Sequence, residues 1–197
     1  MPKKVDHDER RRHIAEAVVR IAGRDGLDAA TLRDVAAEAG MSLGAVQYYM
    51  RTKDEMLQYV VAYLGEQVTA RIMDGVDFEA LDVRDFLMTM ATEMLPLDER
   101  RKAERRTGQA FGARAGAVPE LAGALREGQA WLHERVAELI DQARHAGEAR
   151  EDVDPGHEAV VLLALIEGLT AEIMLGLRDP DGALAAVRYH VHRILPK

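Results

Sequence analysis

Cysteine is absent from the chain. That excludes a disulfide framework, a thiolate metal site and a cysteine nucleophile, and it lets the chain work in a reducing compartment without redox liability. Aromatic residues are scarce, with five tyrosines, three phenylalanines and one tryptophan among 197 residues. No stretch alternates apolar and polar residues long enough to read as a strand, and there is no internal repeat. The longest unbroken apolar run, Ala159 to Ile166, is far below the roughly 20 residues needed to cross a bilayer. The N-terminus also lacks the apolar core of a signal peptide. A cytoplasmic chain that does not enter the membrane is expected.

What is present favours helices. Apolar residues make up 48% and charged residues 30% of the chain, with Ala, Leu, Glu and Arg dominant, which suits a helical fold and argues against disorder. The length fits a small domain joined to a larger one. The net charge of -8 looks unsuited to binding nucleic acid until it is divided by position. Residues 1–55 carry ten basic and ten acidic side chains, whereas residues 56–197 carry 16 basic against 24 acidic. Any contact with phosphate therefore belongs to the N-terminal part.

The chain opens on a polar segment, expected as a frayed arm, that ends in Arg10, Arg11 and Arg12. The run is either a solvated face or an arm reaching phosphates. Ile14, Ala17, Val18, Ile21 and Ala22 then form one stripe of an amphipathic first helix that ends near Asp25-Gly26. Thr31, three residues before Asp34, caps a second helix with Leu32, Val35, Ala36 and Ala39 inward, and Gly40 suits its left-handed C-terminal cap. Ser42 caps a third helix that runs to about Met50. Two short helices across so short a turn make a helix-turn-helix. Thr52 caps a longer fourth helix in which Leu57, Val60, Val61, Leu64, Val68 and Ile72 hold helical spacing.

Beyond Gly75 the helical pattern continues. It passes through Val83 to Met94, a charged segment from Asp98 to Arg114, Leu121 to about Ala146, Gly156 to about Leu177, and Ala183 to Leu195. The whole reads as an all-α chain of about nine helices, with a helix-turn-helix domain over residues 1–52 and a larger helical domain over 53–197.

The segment from Ser42 to Leu57, with Gly44, the pair Tyr48-Tyr49 and Lys53-Asp54-Glu55-Met56-Leu57, resembles the signature of the TetR family of transcriptional repressors. The resemblance covers about residues 10–60, and the total length also agrees. Gln47 stands where many members have tyrosine, and Met50 where phenylalanine is common. The resemblance implies a repressor that binds a palindromic duplex-DNA operator as a homodimer and is released by a small-molecule effector, with no cofactor and no metal.

The residue types also suit that role on their own terms. Ser42 leaves backbone N–H groups at a helix N-terminus, and Gly44 lets a backbone approach closely. Leu43 lies between them. Tyr48 and Tyr49 offer hydroxyls to phosphates and ring faces to thymine methyls or sugars, and Gln47 can pair bidentately with adenine. Lys53 and Thr31 would flank the groove as backbone positioners, with Arg33 a further candidate. One tyrosine of the pair is expected to pack on the first helix.

For the dimer, the last two helices are the candidates. Leu162, Ile166, Leu169 and Ile173, then Leu184, Val187 and Val191, belong to segments apolar on more than one side, which need two partners. The resemblance implies a four-helix interface, two helices from each subunit; burial within one subunit is the alternative. For an effector pocket, Phe86, Met90, Met94, Phe111 and Trp131 are bulky, adaptable side chains of the middle helices. Glu167 interrupts the most apolar helix and suits either a cationic ligand or an arginine across a dimer.

An enzyme finds little support, because none of the seven histidines stands in an H-E-x-x-H spacing and no nucleophile elbow or phosphate loop occurs. A helical adaptor that binds protein would show little of the steep salt dependence that phosphate contacts bring.

Overall fold

The computed structural model describes residues 3–74, 82–116 and 119–196, and among these it contains nine α-helices and no strand. They are α1 (Lys3–Asp25), α2 (Leu32–Glu38), α3 (Leu43–Tyr49), α4 (Lys53–Asp74), α5 (Val83–Met94), α6 (Glu99–Ala115), α7 (Pro119–His145), α8 (Pro155–Met174) and α9 (Pro180–Ile194), with a 3-10 turn at Leu27–Ala29.

Local chemistry sets most of these boundaries. Thr31, Ser42 and Thr52 each accept the backbone N–H three residues ahead, at 3.2, 3.1 and 3.1 Å, and so open α2, α3 and α4. Thr31 also donates its hydroxyl to the Asp34 carboxylate. After α2, Gly40 turns into the left-handed region at φ 62°. Met41 N–H then reaches the Ala36 carbonyl at 2.9 Å, the closing bond of a Schellman cap. Aspartates cap the later helices: Asp82 for α5, Asp154 for α8 and Asp179 for α9.

The polar start of the chain is not a loose arm, because α1 is already helical at Lys3. Acids stand four residues before bases there, as in Asp8 and Arg12, the favourable order for an exposed helix.

The chain divides into two compact units, one comprising Met1–Gln67 with Ala103–Leu125 and the other Val68–Lys102 with Arg126–Lys197. The expected boundary at residue 52 is therefore too early for α4. Met56, Leu57 and Val60 of that helix are fully buried with Ile14 and Val18 of α1, Val35 of α2 and Val46 of α3, all in one core. Phe111 of α6 completes the same core, without any exposed surface. The sequence places Phe111 among the effector-pocket residues. It is instead a core residue of the first unit, because its side of α6 packs against the cluster of α1 and α4.

In the second unit Leu87, Met90, Ala91, Val136, Ile140 and Ile194 share a core with α8 and α9, and α9 packs on both α5 and α8. Leu162, Ile166, Leu169, Ile173, Val187 and Val191 lie in this core, none more than 7% exposed, and Leu184 packs against it. The side chains expected to face a second subunit are thus consumed within one chain. The reason is that α8 has two apolar faces and the one that carries these residues packs within the chain.

A charged hub sits in the same unit. Glu93 of α5 accepts from Arg71 of α4 at 2.7 Å and from Arg101 of α6. Burial acts to raise the Glu93 pKa, and the two guanidinium hydrogen bonds outweigh it, holding the carboxyl below its usual range.

Candidate nucleic-acid interface

α3 is short and two-faced. Val46 and the following Met50 are fully buried, and Leu43 and Tyr49 pack half-buried against the same core. Ser42, Gly44, Gln47 and Tyr48 point outward, Tyr48 with 74% of its surface exposed. One side of the helix is therefore fixed by packing while the other presents a hydroxyl, an open glycine, an amide and a phenol.

α1 braces this pair of helices. His13 Nε2 donates to the Ala39 carbonyl at the end of α2 at 2.9 Å. On the outer side Arg20 and Arg24 both bind Glu38, at 2.8 and 3.3 Å. The hydrogen bond from Arg20 does most to hold the Glu38 carboxyl below its usual range. Arg11 does not reach outward as part of a basic arm: its guanidinium lies 4.4 Å from the centre of the Tyr59 ring and meets Met50 Sδ at 3.8 Å. It ties α1 to α3 and α4 by cation–π and sulfur contacts.

The expected phosphate positioners surround α3 in sequence and stand at the surface of the unit. Thr31 and Arg33 are exposed at the start of α2. Lys53 donates to the Asp28 carbonyl at 3.2 Å, which leaves two of its three ammonium donors for another acceptor. Several acids of the unit are engaged by bases, Glu38 by Arg20 and Arg24 and Asp54 by Arg114, whereas Arg33 has no ion-pair partner among the described residues.

Residues 14–60 match the family described as bacterial regulatory proteins, tetR family, and residues 83–196 match the BetI-type transcriptional repressor C-terminal family. The HTH-type transcriptional regulator PksA of Bacillus subtilis is 34% identical over 98% of this chain and 94% of its own length. The chain belongs to the TetR family. Two solved structures share its fold. A transcriptional regulator from Rhodococcus sp. Rha1 matches with a TM-score of 0.80 and 28% identity over 94% of this chain and 96% of that one. A Saccharomonospora viridis regulator in complex with choline matches with a TM-score of 0.80 and 22% identity over 96% of this chain and all of that one. As a TetR-family member the chain is a DNA-binding transcriptional regulator.

The second unit of this TetR-family chain holds the other expected effector residues. Phe86 and Met94 are half-buried and Met90 nearly fully buried on α5, while Trp131 of α7 is 52% exposed and Glu167 of α8 is exposed. A groove of about 580 Å³ between α5 and α9 is lined by a different and more polar set, including Arg84, Asp85, Thr89, Arg188 and His192. Among the described residues no group of three metal-binding side chains occurs, and no helix is long and apolar enough to cross a membrane.

The sequence reading missed His7 and did not separate the two faces of α8. His7 lies against the tyrosine pair, hidden in a segment that looked merely polar. Val160, Val161, Ala164, Gly168 and Ala171 of α8, continued by its C-cap residue Leu175, form an exposed apolar stripe opposite the buried one. Its signal was available in the small residues Ala164, Gly168 and Ala171 at helical spacing.

Proposed function

We propose that this regulator is a cytoplasmic homodimeric repressor that reads a palindromic operator with α3 and is released by a small organic effector. The observation that carries the reading is the division of α3 into a core-locked face and an outward polar face. Gln47 supplies base discrimination, since a bidentate amide–adenine pair contributes about 1–3 kcal/mol. Ser42, Gly44, Tyr48, Tyr49, Thr31, Arg33 and Lys53 set position and affinity through the backbone.

The stripe of Val160, Val161, Ala164, Gly168, Ala171 and Leu175 is the candidate dimer surface, an exposed apolar face of the kind that marks an interaction site. Its small central residues allow a second α8 to approach closely. Glu167 stands on the same outward side of α8, so we assign it to the edge of that surface. Phe86, Met90, Met94 and Trp131 remain candidates for the effector walls. The choline complex of the Saccharomonospora regulator supports an organic cation, for which the exposed Trp131 ring offers a suitable face. An effector need only prefer the conformation that cannot bind DNA; a differential of a few kcal/mol shifts the population by orders of magnitude.

The test is selection from a duplex-DNA library at two salt concentrations by wild type, Gln47→Ala and Lys53→Ala. Recovery of a palindrome is expected, with Gln47→Ala relaxing one position per half-site and Lys53→Ala weakening all sequences alike. Retention that is neither selective nor salt-sensitive would sink the operator reading. Choline added to the recovered complex, with sodium chloride as control, tests the effector class.

A further inference from the structure

Tyr48 poses a physical problem: an aromatic side chain with 74% of its surface exposed would ordinarily sample several rotamers, and fixing it on DNA would cost conformational entropy. It is not isolated. Its ring meets Tyr49 edge-on, with centroids 5.1 Å apart and planes at 88°. The imidazole of His7, in the second turn of α1, lies 4.9 Å from Tyr49 at 65° and 6.3 Å from Tyr48 at 63°. These separations and angles are those of favourable edge-to-face aromatic pairs. Tyr49 is itself anchored against the core of the unit, so the three rings form a bracket with one fixed member, one ring lent by α1 and one ring presented outward.

We infer that His7 is a positioning residue for DNA recognition: its ring, carried in by the polar start of α1, holds Tyr48 and Tyr49 in the orientation in which α3 meets DNA. The inference deepens the operator reading and rests on it. Because the helical start of α1 is what delivers the ring, that segment has a role in recognition without any base contact of its own. His7 acts through the tyrosines and needs no charge for the purpose.

The test compares full-length wild type, His7→Ala and His7→Phe for affinity to the selected operator and to non-specific duplex DNA over a salt series. The tyrosine ring resonances of each free protein are recorded alongside. His7→Ala should weaken operator binding roughly threefold to tenfold, about the worth of one edge-to-face pair. The salt slope should stay unchanged, since no phosphate contact by a cation is removed, and the Tyr48 and Tyr49 ring signals should shift. His7→Phe, which keeps an aromatic ring, should restore affinity to within about twofold and return the tyrosine signals towards their wild-type positions. The inference is overturned if His7→Phe is as weak as His7→Ala and both lower the salt slope by about one, the mark of a direct phosphate contact. It is equally overturned if His7→Ala leaves operator affinity and ring signals unmoved, or if it lowers the melting temperature and both affinities together. Failure of the operator reading is distinct, since the wild type would then select no sequence while the ring signals would still report the bracket.

Discussion

Replacing Phe111 with alanine separates two roles that the side chain could have, wall of an effector site or core of the DNA-binding unit. The ring has no exposed surface and lies in a cluster with Ile14, Val18, Met56 and Leu57. A buried phenylalanine removes about 150–250 Å² from water, which at about 25 cal/mol per Å² corresponds to roughly 4–6 kcal/mol as an upper bound. Measured losses for such truncations are about 3–5 kcal/mol because the surroundings relax only in part. We therefore expect about 4 kcal/mol for Phe111→Ala, a large share of the 5–15 kcal/mol typical of a folded protein. For a chain of this size that lowers the melting temperature by about 8–16 °C. The assay is thermal and denaturant unfolding followed by circular dichroism, with operator binding measured well below the transition, where it should be retained. Phe111→Leu should recover more than half of the loss. A melting shift under about 4 °C, equivalent to roughly 1 kcal/mol, would refute the packing argument.

On the outward face of α8, Val161→Arg or Ala164→Arg should weaken dimerisation by at least roughly tenfold by burying an unpaired charge in the contact, as read by sedimentation velocity; a dimer of unchanged affinity would discard that surface. Glu93→Gln removes the carboxylate that Arg71 and Arg101 share, Arg101 keeping its pair with Asp98, and because the three side chains are only 15–18% exposed the loss should be about 2 kcal/mol in denaturant unfolding. Since the folded Glu93 pKa lies below its ordinary 4.5, this stabilisation is complete above that value and disappears as pH falls through the folded pKa, so wild type and variant should converge in acid. His190 is buried, with Nε2 3.4 Å from Glu158 and Arg193 bound to the same carboxylate. Burial, and secondarily Arg193, lower its pKa below 6.5 against the pull of Glu158. The unfolded chain then takes up the proton first, so stability should fall as pH drops through 6.5 and level off below the folded value. His190→Leu should show a shallower dependence, and an unchanged slope would assign the effect to other groups.

Much of the first unit was legible in order. The apolar stripe from Ile14 to Ala22, the caps at Thr31, Ser42 and Thr52, and the left-handed glycine at position 40 are local signals, and local hydrogen bonding and helical spacing suffice to read them. The outward placement of Gln47 and Tyr48 follows from the same periodicity once Val46 is taken as the inward residue. The first-unit membership of Phe111 and the place of Arg11 under Tyr59 were not legible. Both depend on which distant helix supplies the other wall, and no spacing within one segment encodes that.

α8 shows the division most sharply. The amino-acid sequence by itself determined that this helix is apolar on two sides, because hydrophobic residues at helical spacing cover more than one face. Only the tertiary structure decided which side is which. Leu162, Ile166, Leu169 and Ile173 are drawn into the core shared with α5 and α9, where filling space without voids stabilises most. Val160, Val161, Ala164, Gly168 and Ala171 are left outside, where the surface can be shared with another chain. In the same way the sequence determined that residues near position 7 are polar. Only the packing of α1 beside α3 decided that one of them, His7, meets the two tyrosines, since a contact across 41 positions is set by how helices dock and not by local pattern.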